Sequence, residues 1–237
     1  MNLAMGDEFI PGSSQRSSNL RTVSSVLTNA LGDRTVVSAV QGAAITRQGR
    51  ASLAHQIKQF SLAAYDRLFL FYGANDYLHS SADLGTLNRR LTADLRAIRQ
   101  HNSWLRIYGI LPFPMYDAKG RSLAGQHGPG YYTLHDLVEM LSVVYANDQV
   151  PALNWSLLAN PVVNQHNAAQ RLKGGKYPTE STSRRMADRI AQFVRRADRS
   201  HADHRLHLAS SAQVQIGFAK PHHHKSASAS DIKVKKQ

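Results

Sequence analysis

The chain alternates short apolar runs with longer amphipathic stretches, and this constrains its fold more than any other feature. Arg67–Tyr72 (RLFLFY) carries five consecutive apolar residues, Leu68 to Tyr72, closed by Gly73. Beyond it Leu84, Leu87, Leu91, Leu95 and Ile98 recur at helical spacing. A short apolar run bounded by turn residues reads as a buried strand, and an i, i+3, i+4 stripe reads as a helix with one buried face. The same alternation runs along the chain. Strands are expected at Asn2–Met5, Thr35–Val40, Arg67–Tyr72, Leu105–Leu111 and Gln149–Leu153. Helices are expected over Asn19–Leu31, Ala51–Tyr65, Leu84–Ile98, Leu134–Tyr145 and Thr179–Val194, with a Gly-rich loop at Gly120–Gly130. Strand–helix alternation of this kind predicts a parallel sheet with helices on both faces. Ligands of such sheets bind beyond the carboxyl ends of the strands, so those loops are where chemistry is to be sought.

Composition narrows the chemistry. With no cysteine among 237 residues, disulfides, thiol nucleophiles and thiolate metal sites are excluded. No stretch reaches the ~18 apolar residues of a membrane span. Met1–Ile10 carries acids and lacks a basic region ahead of an apolar run, so it does not read as a signal peptide, and a cytoplasmic protein is expected. The net charge is +13, and from Arg195 onward Lys and Arg exceed acids by about six. Residues 1–197 are read as one α/β domain, and 198–237 as a basic, His-rich, flexible extension. That extension holds His201, His204, His207 and the His222–His224 cluster. Contact with nucleic acid or another polyanion through this tail is an open reading that no reader motif supports, and no metal site is assigned to its histidines.

Four strand ends carry unusual loops: Gly6-Asp7-Glu8 after the first, Gly42 in VQGAAIT after the second, Gly73-Ala74-Asn75-Asp76 after the third, and Gly174-Gly175-Lys176-Tyr177-Pro178-Thr179-Glu180 before the last helix. Each alone is ordinary turn chemistry. Their order and spacing together resemble the SGNH hydrolases, or GDSL esterases and lipases, from residue 3 to about 194. The resemblance implies a three-layer α/β/α sandwich around a mostly parallel five-stranded sheet of flavodoxin-like type. It also implies ester-hydrolase chemistry without a cofactor, on acyl-ester or carbohydrate-type ligands. In that family a Gly-Asp-Ser block supplies the nucleophile, and a later glycine and the Asn of Gly-x-Asn-Asp complete the oxyanion hole. An Asp-x-x-His-Pro block then supplies the acid and the base. Asp7, Gly42, Gly73, Asn75 and Asp76 match.

The departures fall on the triad itself. Glu8 stands at the nucleophile position, Gly174 at the acid and Tyr177 at the base. A Ser-His-Asp site depends on an imidazole that accepts the hydroxyl proton near neutral pH and on an acid that orients it. Glycine offers no acid, and a phenol with a reference pKa of ~10 is a poor base at pH 7. The expectation is a catalytically impaired protein that keeps the cleft for binding, with the Glu8 carboxylate filling the oxyanion hole. Two alternatives stay open. One is an active esterase with a displaced nucleophile, for which Ser13, Ser14, His127, His135 and His166 are the candidates. The other is a scaffold or polyanion-binding module acting through the tail. Tyr72, Tyr77, Phe113, Tyr116, Tyr131 and Tyr132 lie on or beside the strand-end loops, where they either stack on a ligand or pack the loops.

Overall fold

The computed structural model describes residues 1–7 and 20–216. Five strands form one parallel sheet: β1 (Asn2–Gly6), β2 (Thr35–Ala39), β3 (Arg67–Phe71), β4 (Arg106–Ile110) and β5 (Ala152–Leu153). Their order across the sheet is β2-β1-β3-β4-β5. Leu3 lies opposite Val36 on one side and Leu68 on the other, and Leu68 lies opposite Ile107. The central strands are buried on both faces, which is why β1 and β3 read as unbroken apolar runs instead of alternating ones.

Helix α1 (Leu20–Leu31) carries the chain from β1 to β2. Between β2 and β3 lies α2 (Leu53–Lys58), flanked by single turns at Gly49–Ala51 and Leu62–Ala64. The sequence predicts one helix over Ala51–Tyr65, whereas the structure breaks it. Ser52 caps α2 by accepting from the His55 N–H, and the Gln59 N–H closes its last turn on Gln56 and Ile57. Helices α3 (Ala74–His79) and α4 (Leu84–His101) join β3 to β4, and α5 (Leu134–Asn147) joins β4 to β5. On one face α4 packs between α2 and α5. Helix α1 packs against β2 and meets the last helix of the domain. There Arg195 donates to the Ala30 carbonyl, and Phe193 stands edge-on to Tyr108 of the sheet.

The remaining elements are α6 (Ala168–Arg171), a two-stranded antiparallel hairpin of β6 (Leu172–Lys173) and β7 (Tyr177–Pro178), and α7 (Glu180–Ile216). The chain divides into two units, Met1–Ala197 and Asp198–Gln237. The final helix, expected to stop at Val194, continues to Ile216, since no glycine or proline interrupts the sequence until Gly217. Residues 198–216 belong to this helix.

Candidate functional site

Asp7, the residue after β1, is 1% exposed. On the neighbouring strand the chain leaves β3 through Tyr72 and turns at Gly73, the residue preceding α3, with φ +113°. Few side chains tolerate that dihedral. A Cβ there would also lie 2.9 Å from Leu141 Cδ1 and 3.1 Å from Pro112 Cγ. The turn places Asn75 and Asp76 in the first turn of α3, both buried. The Asp76 carboxylate accepts from the Ile45 N–H at 2.9 Å, the Thr46 N–H at 3.0 Å and the Thr46 hydroxyl at 2.7 Å. Thr46 Oγ1 also lies 2.8 Å from Ser80 Oγ. Asn75 Nδ2 donates to the Ala43 carbonyl at 3.2 Å. Two consecutive side chains of α3 therefore hold the loop that carries Gly42. Burial pushes the Asp76 carboxyl up from its ordinary pKa, and the hydrogen bonds from Ile45 and Thr46 pull it back.

Beside Asp7 is an apolar recess of about 20 Å³, walled by Tyr72, Leu111, Phe113, Trp155 and Met186. That is room for little more than one water or methyl group. Trp155 is fixed there by its indole N–H, which donates to the Leu111 carbonyl at 2.9 Å. The Tyr72 hydroxyl has no hydrogen-bond partner among the described residues. Burial, reinforced by the charge of Asp7, holds this phenol well above its ordinary pKa. Trp155 gave no sign in the sequence, since it lies in no recognisable loop motif, and Met186 reads there only as an apolar residue of the last helix. Thr46, the buttress of Asp76, lies within the VQGAAIT block but looks like an ordinary turn residue.

The late block takes a different shape. Gly174 and Gly175, with φ of +58° and +71°, form the tip of the β6–β7 hairpin. The Tyr116 N–H donates to the Gly175 carbonyl at 2.9 Å. Tyr177 is 40% exposed, and neither it nor Gly174 walls the recess beside Asp7. Gly174 borders a separate depression with Tyr77, Asp117, His127 and Lys176. Among the described residues, no histidine walls the recess beside Asp7. His135 is exposed and lies 3.2 Å from Glu139, and His166 is exposed on the Asn164–Asn167 turn. Glu8, Ser13, Ser14 and His222–His224 lie outside the described residues.

The six aromatic candidates divide. Tyr72 and Phe113 wall the recess. Tyr77 is buried and donates to the Leu123 and Gln126 carbonyls, so it packs the Gly-rich loop. Tyr116 and Tyr132 are buried, whereas Tyr131 is 89% exposed. Among the described residues there is no cluster of three or more His, Cys, Asp or Glu that would hold a metal ion. Among them, too, no helix is long and apolar enough to cross a membrane.

No protein-family model matches the sequence, and no curated protein matches it. Solved structures do match. A lipase/acylhydrolase from Enterococcus faecalis is 16% identical with a TM-score of 0.59, covering 81% of this chain and 93% of that one. A GDSL-like lipase from Bacteroides thetaiotaomicron is 12% identical with a TM-score of 0.58, covering 83% and 88%. A carbohydrate acetylesterase family member from Sinorhizobium meliloti is 14% identical with a TM-score of 0.59, covering 82% and 97%. The parallel β2-β1-β3-β4-β5 sheet, its flanking helices and this likeness together show that the chain has the α/β/α fold of the GDSL-type, or SGNH, hydrolases.

Proposed function

We propose that this protein is a catalytically impaired hydrolase-fold protein that binds a small acyl-ester ligand, such as an acetylated carbohydrate, at its strand ends. One observation carries the reading. The loops that would bind an oxyanion are held in place, while the block expected to supply acid and base is a hairpin bearing Gly174 and Tyr177. The small apolar recess beside Asp7 favours an acetyl group over a long acyl chain. An oxyanion hole with bound substrate but no triad leaves roughly 10³–10⁴-fold catalysis over water, far short of an enzyme. A carbohydrate acetylesterase family member among the structural neighbours agrees with this ligand class.

Two measurements test the proposal. Hydrolysis of p-nitrophenyl acetate is expected to stay at the buffer rate. Titration with a mono-O-acetylated methyl glucoside is expected to shift the backbone amide resonances of Gly42, Asn75 and Phe113. Turnover that disappears in Asn75→Ala would overturn the impaired reading. An absence of shifts at those amides would overturn the ligand.

A further inference from the structure

Away from the strand-end loops, a cleft of about 360 Å³ opens between the Asn160–Val162 loop, α6 and one face of α7. Its polar walls are Asn160, Arg171, Arg185, Asp188, Arg189 and Gln192. The α7 members fall at i, i+3, i+4 and i+7, so they share one face of the helix. The opposite face, with Met186, Ile190 and Val194, is buried in the core. The helix is thus anchored from behind and presents two arginines to the cleft, while α6 presents a third.

Two of the three guanidiniums are pinned. Arg171 donates to the Val162 carbonyl, and Arg189 donates from Nη1 to Gln192 Oε1 at 3.2 Å. Both are half-buried. A guanidinium carries five donors, so each keeps most of them for a ligand, and little side-chain freedom is left to lose on binding. Arg185 has neither a hydrogen bond nor an ion pair among the described residues, and none of the three arginines pairs with a carboxylate there. Asp188 lowers the wall charge without cancelling it. Converging forked donors with a net excess of two positive charges suit a tetrahedral, doubly charged oxyanion. A phosphate monoester carries about −1.5 to −2 at pH 7.

We infer that this cleft is a binding site for a phosphate monoester group, held by Arg171, Arg185 and Arg189. It is distinct from the recess beside Asp7 and does not depend on the ligand proposed for that recess.

The test is a titration of the full chain with inorganic phosphate and with phenyl phosphate, followed by amide chemical shifts at constant ionic strength in chloride. Saturable shifts at Arg171, Arg185 and Arg189 are expected. The double variant Arg185→Ala/Arg189→Ala should weaken binding about tenfold or more, in line with the loss of two charge-assisted contacts. Arg185→Lys keeps the charge but not the fork, and should weaken binding by about threefold. Arg89→Ala, an exposed arginine on α4, should leave it unchanged. The idea fails if the double variant binds phosphate as the parent does, or if Arg89→Ala weakens binding equally. It fails as well if a twelve-nucleotide DNA strand displaces phenyl phosphate from these residues at lower phosphate-group concentration, which would make the ligand a phosphodiester polymer.

Discussion

Asp76 shows how much of the candidate site hangs on single side chains. Its carboxylate is fully buried, and it accepts two backbone N–H groups and one hydroxyl from Ile45 and Thr46. Asp76→Ala would leave the buried Ile45 N–H without its acceptor, at a cost of about 2–4 kcal/mol. Urea unfolding measures the loss. Hydrogen exchange at Ile45 and Thr46 should accelerate beyond the global change, because the Gly42 loop is released locally. Gly73 sets a similar limit through sterics. With φ at +113° and Leu141 already at 2.9 Å from an added Cβ, Gly73→Ala should destabilise by about 2 kcal/mol or more. The role of these two positions was half legible in the sequence. Gly-x-Asn-Asp marked the turn, but as turn residues, and nothing in the string tells that Asp76 reaches back some thirty positions to hold another loop. Tyr77 was a candidate ligand platform by position alone. Its hydroxyl is used instead to tie down the loop beyond β4.

The elements divide by how strongly local pattern dictates them. Helix α4 was legible because Leu87, Leu91, Leu95 and Ile98 form a continuous buried stripe and Asp83 caps it. Helix α5 was equally plain, and its capping box of Thr133 and Asp136 satisfies two end groups reciprocally. Thr133→Ala should cost about 1 kcal/mol, read from the shift in thermal midpoint. Helix α3 was not legible, being six residues that begin inside an apparent turn. The β6–β7 hairpin was not legible either, since each strand is two residues long and one contains Pro178. Helix α4 also carries a titration. Burial raises the Asp94 carboxyl to about 6, and Arg90 on the same helix opposes the rise. A carboxyl whose folded pKa lies above its unfolded value binds protons more tightly when folded, so stability falls as pH rises from about 4 to 6 and stays lowered above. Asp94→Asn removes that penalty. It should stabilise the protein by about 1–2 kcal/mol at pH 8, discounted for partial solvent access, and by almost nothing at pH 4. Paired denaturation curves at the two pH values decide it.

At the scale of the molecule, periodicity alone gave the parallel sheet and its strand membership, because burying both faces leaves the strands no polar alternation. Periodicity does not give the strand order, since it does not say which edge a crossover turns toward; the observed β2-β1-β3-β4-β5 is that of the flavodoxin-like type that the family resemblance implied. The candidate site is split in the same way. The loops after β2 and β3 are braced against each other at one end of the sheet, whereas the block bearing Gly174 and Tyr177 belongs to a separate hairpin. If the proposed impairment is only a matter of side chains, Glu8→Ser/Gly174→Asp/Tyr177→His should hydrolyse p-nitrophenyl acetate about 10²-fold faster than the parent. If the hairpin holds positions 174 and 177 out of reach, the triple variant will hydrolyse it no faster than the parent. The hairpin tip bears on which side chains this block can carry. A side-chain carbon at Gly175 would lie 2.2 Å from the Tyr116 carbonyl oxygen, while one at Gly174 meets nothing within 4 Å. One glycine is locked to its neighbour and the other faces open space. Asp and Asn tolerate the left-handed backbone of position 174 better than most residues. An acidic side chain can therefore be placed at 174 while the backbone presenting it stays put, whereas any side chain at 175 must push the hairpin off the strand-end loop beneath it.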